Sequence, residues 1–292
     1  MGFEASLRKG PAGGISTGNP LGLDAARGIA EKRLMPPATN LSHVSALYRY
    51  PVKGLSAEQL PAVALGIGKT FPADRAFALE NGPSGFDPAA PAWQPKIKFL
   101  CLMKNAKIAA LSTRYDDASA KLIVVQDGRT LLEASLHDAT GRAAIERFFQ
   151  DYMGSEARGP VRVLEAPGHS FSDVARKVVS IINLESVRAL EASVGRKVHP
   201  LRFRGNLYVE GWPAWAEVGL LGRDLEIGNA RLRVVKMIQR CAATEVDPET
   251  ASRDIDVPDA LYRLTGEDDC GIYAEVTAAG RIAEGDPIKI IG

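Results

Sequence analysis

In residues 202–250, RFRGNLYVEGWPAWAEVGLLGRDLEIGNARLRVVKMIQRCAATEVDPET, polar and apolar residues alternate in NLYVEG and on both sides of Gly228–Asn229. A period of two marks half-buried strands, and a Gly–Asn pair between two such runs marks a hairpin turn. Cys241 follows the second strand, framed by Arg240 and the polar loop AATEVDPET. At a strand end a cysteine is open to three roles: a small packed hydrophobe, a nucleophile, or a metal ligand. A neighbouring cation or metal favours the thiolate that the last two roles require.

Working outward, GIYAEV and DPIKII downstream read as strands, and so do VSALYRYPVKG, KTFPADRAFALE, KIAALSTRY, KLIVVQ, TLLEASL and VRVLEA upstream. Helical spacing is confined to ATGRAAIERFFQDYMG, with Ala144, Ile145, Phe148 and Phe149 on one face and Gly154 as cap, and to NLESVRALEASVG. In the latter Asn183 is the N-cap, Val187, Leu190 and Val194 form the stripe, and Gly195 ends it. The expected fold is α+β and β-dominated, with barrel or sandwich lobes and a few helices. The polar stretch EAPGHSFSD at 165–173 reads as a seam, so the expected division is an arm at 1–40, a first domain at 41–167 and a second at 168–292.

Composition narrows the function. The 292 residues carry 36 basic and 35 acidic side chains, so no global field gathers nucleic acid or anionic lipid. Any anion has to be met by a local cluster. Three cysteines, Cys101, Cys241 and Cys270, with no CxxC pair, argue against a disulfide framework and a structural zinc site. No apolar run approaches the roughly 18 residues of a membrane span, and a cytoplasmic protein is expected. The Gly- and Pro-rich arm contains Glu4, Asp24 and Glu31, which dilute a transit-peptide reading.

Three basic clusters are each open to a solvated or an anion-binding reading. Arg202, Arg204 and Asn206 share one face if RFRGN is extended. Lys53 with Gly54 lets an ammonium and a backbone amide approach one oxyanion, and Arg75 in PADRAF is similar. Trp212 and Trp215 read as packing anchors beside a proline turn, and Cys270 as a packed thiol. The histidines, His43, His137, His169 and His199, show no metal-ligand spacing.

The succession YPVKG, DRAF, FSD, RFRGN, IGNARL, QRCAATEVDPET, GIYAEV and GDPIKI resembles the MOSC family in which an N-terminal MOSC β-barrel domain precedes the MOSC domain. The likeness runs from about residue 41 to the end, and the family includes amidoxime-reducing components and bacterial reductases of N-hydroxylated bases. It implies a β-barrel-like first domain, a MOSC β-barrel second domain, and a molybdenum cofactor of the molybdopterin type. By the same resemblance Cys241 would be the catalytic metal ligand. Lys53, Gly54, Arg75, Asn183, Arg204, Asn206 and Arg240 would join it in holding the cofactor. The family's serine after the lysine is Gly54 here, the proline of its RFRPN is Gly205, and Pro213 and Val218 stand where acids flank Glu217.

The implied function is a molybdenum-dependent oxidoreductase that reduces N-oxygenated small molecules. Electrons would come from a separate redox protein, since the chain has no four-cysteine cluster. Neither nucleic acid nor a membrane span enters this reading. Two alternatives stand beside it: a sulfur transferase or carrier with a persulfide on Cys241, and a non-catalytic small-molecule-binding barrel.

Overall fold

The computed structural model describes residues 42–291; the arm expected at 1–40 lies outside them. The first segment carries β1 (His43–Arg49), β2 (Glu58–Leu60), β3 (Ala62–Leu65), β4 (Phe77–Asn81), β5 (Ser112–Asp116), β6 (Lys121–Gln126), β7 (Arg129–Ser135), helix α1 (Ala139–Met153) and β8 (Val161–Glu165). The second carries β9 (Val179–Asn183), α2 (Leu184–Val194), β10 (Leu207–Glu210), β11 (Asp224–Ile227), β12 (Ala230–Gln239), α3 (Val257–Thr265), β13 (Asp269–Ala278), β14 (Gly280–Ala283) and β15 (Ile288–Ile291). The fold is β-dominated, as expected.

Its frame is an eight-stranded curled sheet in the order β15-β11-β12-β13-β9-β10-β1-β2. β11 and β12 form the hairpin expected around Gly228–Asn229, with Ile227 opposite Ala230. β9 and β10 are parallel, which requires a crossover, and α2 supplies it. Every residue of β9 is buried because the strand is covered on both faces. Val179 and Ile181 join the core inside the sheet, while Ile182 packs with Val187 and Leu190 of α2 and Val257 and Leu261 of α3. Burying each of these leucines stabilises the layer by about 2 kcal/mol.

Two strands from the first segment complete that sheet. β1 pairs antiparallel with β10 and with β2, and β3 pairs with β14. The rest of the first segment, the β5-β6-β7 meander, the β4-β8 pair and α1, encloses a separate core that includes Phe77, Leu79, Ile145 and Phe149.

Both expected helices form, with the expected C-caps at Gly154 and Gly195 and the expected N-cap Asn183, which accepts from Glu185 N; at the start of α1, where no cap was expected, the Asp138 side chain accepts from Gly141 N. α3 was read as part of a mostly strand region and is a helix instead. Its signals are local: Asp256 caps it, Pro258 lies in the first turn, and Gly266 closes it in the left-handed region at φ 81°. KIAALSTRY divides into a 3-10 turn at Ala106–Ala110 and strand β5, and in KTFPADRAFALE only Phe77–Asn81 is strand.

A bulge sets up the site. Between Met237↔Ile272 and Gln239↔Asp269 the register of β12 and β13 shifts. Gly271, in the longer arm of the bulge, has φ 84°, and a Cβ there would meet Ile181 O at 2.6 Å and Ile182 Cδ1 at 2.7 Å. Gly271→Ala is expected to destabilise the protein by about 2 kcal/mol or more, because left-handed strain and overpacking add. Gly222→Ala, at φ 79° with nothing within 4 Å of the new Cβ, carries only the strain and should cost about 1–2 kcal/mol. Urea midpoints of the two variants measure the difference; equal losses would refute the packing contribution.

Candidate functional site

A cavity of about 260 Å³ opens where the two segments meet. Lys53, Gly54, Arg75, Arg204, Asn206, Arg240 and Cys241 all line it, although 188 positions separate Lys53 from Cys241 (241 − 53). Asn183 does not. Its side chain is fully buried, donates to Pro213 O and Glu217 Oε2 at 2.8 Å each, and accepts from Glu185 N. The amide that the resemblance assigned to a cofactor is committed to the fold.

The two arginines from opposite segments share one aromatic ring. The guanidinium carbons of Arg75 and Arg204 lie 4.8 and 4.2 Å from the centroid of buried Tyr50, whose π face tolerates both cations. Arg75 also pairs with Asp74 and donates to Arg204 O at 3.1 Å. Both arginines have left-handed backbones, at φ 51° and 50°, a conformation that costs a non-glycine residue about 1–2 kcal/mol. Strain of this kind concentrates where function fixes a side chain. Arg204 Nη2 is buried without a hydrogen-bond partner among the described residues. Burial, with repulsion from Arg75, lowers the Arg204 pKa to about 10.

A chain of contacts then runs to the cysteine. Lys53 Nζ donates to Phe171 O at 2.8 Å and to Asp173 at 2.5 Å. The other oxygen of Asp173 accepts from Lys96 Nζ at 3.2 Å, and Lys96 donates to Cys241 Sγ at 3.1 Å. Burial pushes the Lys53 pKa down despite the attraction of Asp173. For Asp173 the balance is the opposite: burial would raise its pKa, but Lys53, Lys96 and Arg75 together hold it well below the carboxylate range. Lys96 and Asp173 were not assigned from sequence. FSD was noted as a motif, whereas nothing around Lys96 distinguishes it from a surface lysine.

Cys241 stands beyond the end of β12, as expected, and its carbonyl accepts from both Thr244 N and Thr244 Oγ1 at 2.9 Å. Arg240, expected to assist the thiol, faces the backbone instead: it donates to Phe203 O at 2.9 Å and to Cys270 O. The cation at the sulfur is Lys96.

RFRGN is not extended. Pro200–Phe203 is a 3-10 turn, which sends Arg202 away from Arg204. The Arg202 side chain is completely buried and bridges Asp247 and Asp254 at 2.6 Å each. Asn206 accepts from Ser180 N and Oγ, and donates one amide hydrogen to Tyr48 O.

The departures from the family pattern now have a local account. At Gly54, with φ 85°, a Cβ would lie 2.8 Å from Leu100 O, so the backbone forms the cavity wall there. Gly205 leaves room for Ile182 and donates to Tyr208 Oη at 3.0 Å, a hydrogen bond that proline would remove. Pro213, Glu217 and Val218 lie off the cavity wall; Glu217 is buried against Ser186 and Asn183, and burial raises its pKa. Trp212 and Trp215 are packed as expected, and burial pushes the Cys270 thiol up to about 12.

Two family models cover most of the described chain. The MOSC N-terminal beta barrel domain matches residues 41–159, and the MOSC domain matches residues 166–289. The chain belongs to the MOSC family. It is 23% identical to mitochondrial amidoxime-reducing component 1 of Mus musculus over 301 aligned positions, covering 91% of this chain and 86% of the relative. Identity to the Homo sapiens protein of the same name is 22%, with 85% and 83% covered. Mitochondrial amidoxime reducing component 2 of Bos taurus is 31% identical over a shorter region, 38% of this chain and 36% of the relative. Among solved structures, the YuaD protein of Bacillus subtilis is 14% identical with a TM-score of 0.40, covering 85% of this chain and 94% of its own. YiiM from Geobacillus stearothermophilus is 23% identical with a TM-score of 0.32, covering 39% and 54%.

Asp173 gives a pH prediction whose sign follows from its depressed pKa. The stabilisation from its ion pairs is complete above the unfolded carboxylate value of about 3.9 and is lost as pH falls toward the folded value. The stability of wild type over Asp173→Asn should therefore be largest near neutral pH and shrink below about pH 4. Urea midpoints between pH 7 and pH 3 test this; a difference that widens on acidification would contradict the pairing.

Proposed function

We propose that the cavity of this MOSC protein holds an anionic molybdenum cofactor of the molybdopterin type, with Cys241 as the protein's ligand to the metal. The chain would then act as a reductase of N-oxygenated small molecules. The observation that carries this reading is the convergence of Lys53, Arg75 and Arg204, one of them with an unpartnered buried guanidinium nitrogen, on the cavity that contains Cys241. That set fits a phosphate-bearing group, because charge-assisted contacts to an anion relieve buried cations. No cluster of three or more His, Cys, Asp or Glu suited to a metal occurs among the described residues, so most metal ligands would come from the pterin.

When bound, the cofactor supplies the two-electron chemistry that removes oxygen from nitrogen. The protein's residues bind and orient. Arg75 and Arg204 grip the anionic end, while the Gly54 backbone admits it closely. Lys53 is held by Phe171 O and Asp173, and Lys96 keeps the Cys241 sulfur at the cavity edge. Asn183 and Arg240 support the walls.

Sulfur carriage on Cys241 would equally use the Lys96 contact, but it leaves the cations from two segments without a purpose. A non-catalytic barrel would rest on the acids missing at 213 and 218, and those positions lie off the cavity. The same reading includes a division near residue 167, a separate electron-donor protein and a cytoplasmic location. No helix of the described residues is long and apolar enough to cross a membrane, and the curated relatives above are named mitochondrial.

Protein made in a host that synthesises the cofactor should contain about one molybdenum per chain and release an oxidised, fluorescent pterin. Cys241→Ser should lose reduction of an amidoxime while keeping most of the pterin, since a hydroxyl is a hard, protonated replacement. Arg204→Ala should lower pterin retention about tenfold or more through loss of a charge-assisted contact. Metal-free and pterin-free wild type, or an active Cys241→Ser, would overturn the assignment.

A further inference from the structure

Arg204 lines two cavities. Besides the one that contains Cys241, a smaller cavity of about 160 Å³ opens between the segments, and the two share Gly54, Leu102, Arg202 and Arg204. The floor of the smaller one is apolar: Tyr50, Leu55, Ile108, Leu111 and Val246 are each 2% exposed or less. Half-buried Leu201 and Pro248 border it. Its hydroxyls are already engaged. Ser56 donates to Leu111 O at 3.0 Å and accepts from Thr113 N at 2.9 Å, and Tyr50 Oη faces Tyr208 Oη at 3.5 Å.

The two arginines differ in what they leave for a ligand. Arg202 bridges Asp247 and Asp254 and donates to Glu245 O. The Arg204 side chain makes no hydrogen bond or ion pair among the described residues; it lies against the Tyr50 ring, 4.2 Å from the centroid. A guanidinium carries five N–H donors in one plane, so an aromatic ring on its face leaves its edges open to anions. The carboxylates around this cavity already have donors. Asp74 takes Arg75 and Tyr50 N, Asp247 takes Arg202, and Glu58, next to Ala57 of the lining, takes Arg49 and Tyr115 N. From the larger cavity, Arg75 repels Arg204 while Asp74 and Asp173 attract it at longer range. An apolar chamber with one undersupplied cation in its wall suits a guest that is apolar at one end and singly anionic at the other.

We propose that the smaller cavity is a ligand site for a small apolar monocarboxylate, with the carboxylate on an edge of Arg204 and the apolar body on Leu55, Ile108, Leu111 and Val246. One guanidinium edge matches the two oxygens of a carboxylate, whereas a phosphate dianion would leave oxygens unpaired against apolar walls. An uncharged guest forgoes the one free cation, and a cationic guest is repelled by it. The site stands whether or not the larger cavity holds a cofactor.

The test is a set of ligand-observed NMR titrations of the full-length protein with benzoate, benzyl alcohol, acetate and benzamidine. Benzoate supplies both the ring and the carboxylate, and each of the others removes or inverts one of them. Benzoate should bind saturably, with a Kd on the order of 1 mM and about tenfold or more below those of the other three. Ala109→Phe fills the smaller cavity from a residue that does not line the larger, and should weaken benzoate about tenfold. Ala57→Phe should do the same from a different loop. Arg204→Lys keeps the charge but loses the fork; it should weaken benzoate by a similar factor and leave benzyl alcohol unchanged. Benzoate that binds no more tightly than benzyl alcohol or acetate, or that binds either filling variant or Arg204→Lys as it binds wild type, would overturn the site. Should both filling variants fail to fold, Arg204→Lys and the ligand series on wild type decide the question alone.

Discussion

Among the cations that line the central cavity, Lys53, Arg75, Lys96 and Arg204 gather around two carboxylates, Asp74 and Asp173. A buried cation without a counter-charge costs several kcal/mol, so the fold is built around an imbalance it does not resolve internally. It limits the cost with neutral devices. The ring of Tyr50 receives two guanidinium groups, Arg204 O takes a hydrogen bond from Arg75, and Phe171 O takes one from Lys53. The residue of the imbalance is visible in the lowered pKa values of Lys53 and Arg204. An anion bound there would stabilise the protein, because whatever binds only the folded state stabilises it.

Such a site needs its cations delivered from distant positions and then held. The β1–β10 pairing joins the segments, and the turn after β1 places Lys53 and Gly54 at the cavity. Phe171 N donates to Arg75 O at 2.8 Å, which ties the seam between the segments to the first arginine. Left-handed backbones at both Arg75 and Arg204 persist only where surrounding contacts over-determine them, and these cross-segment hydrogen bonds do so. Removing the first segment would take Lys53, Arg75 and Lys96 from the cavity as well as two of the eight strands of the sheet.

Alternation and turn chemistry made most strands readable, because half-burial imposes a period of two whatever the partner strand. The caps at Gly154, Asn183 and Gly195 were readable for the same local reason, whereas the Asp138 cap was missed. α3 was equally marked by Asp256, Pro258 and Gly266, but its nine residues lay in a stretch parsed for strands. Of the residues that motif resemblance singled out, Lys53, Arg75, Arg204 and Cys241 line one cavity, whereas Asn183 lies off its wall with its amide bonded within the fold. Lys96 and Asp173 acquire their roles only through tertiary placement: 77 and 68 positions separate Asp173 from Lys96 and from Cys241 (173 − 96; 241 − 173). No local pattern encodes such a relay.

Arg202 and Arg204 show how two similar residues two positions apart divide between structure and chemistry. The 3-10 turn at Pro200–Phe203 directs Arg202 into the loop that follows Cys241, where it donates to Glu245 O at 2.7 Å and bridges Asp247 and Asp254. Asp247 in turn accepts from Glu249 N and Thr250 N, so the polar VDPET stretch folds back as a clamp on that arginine. The RFRGN and VDPET motifs are thus partners in one buried network, and that network fixes the 3-10 turn that Cys241 initiates. Arg204, one residue past the turn in a left-handed conformation, escapes the clamp and keeps a nitrogen without a partner among the described residues. The same short motif therefore anchors the cysteine loop with one guanidinium and presents the other to the cavity, which is why neither arginine can be exchanged for the other.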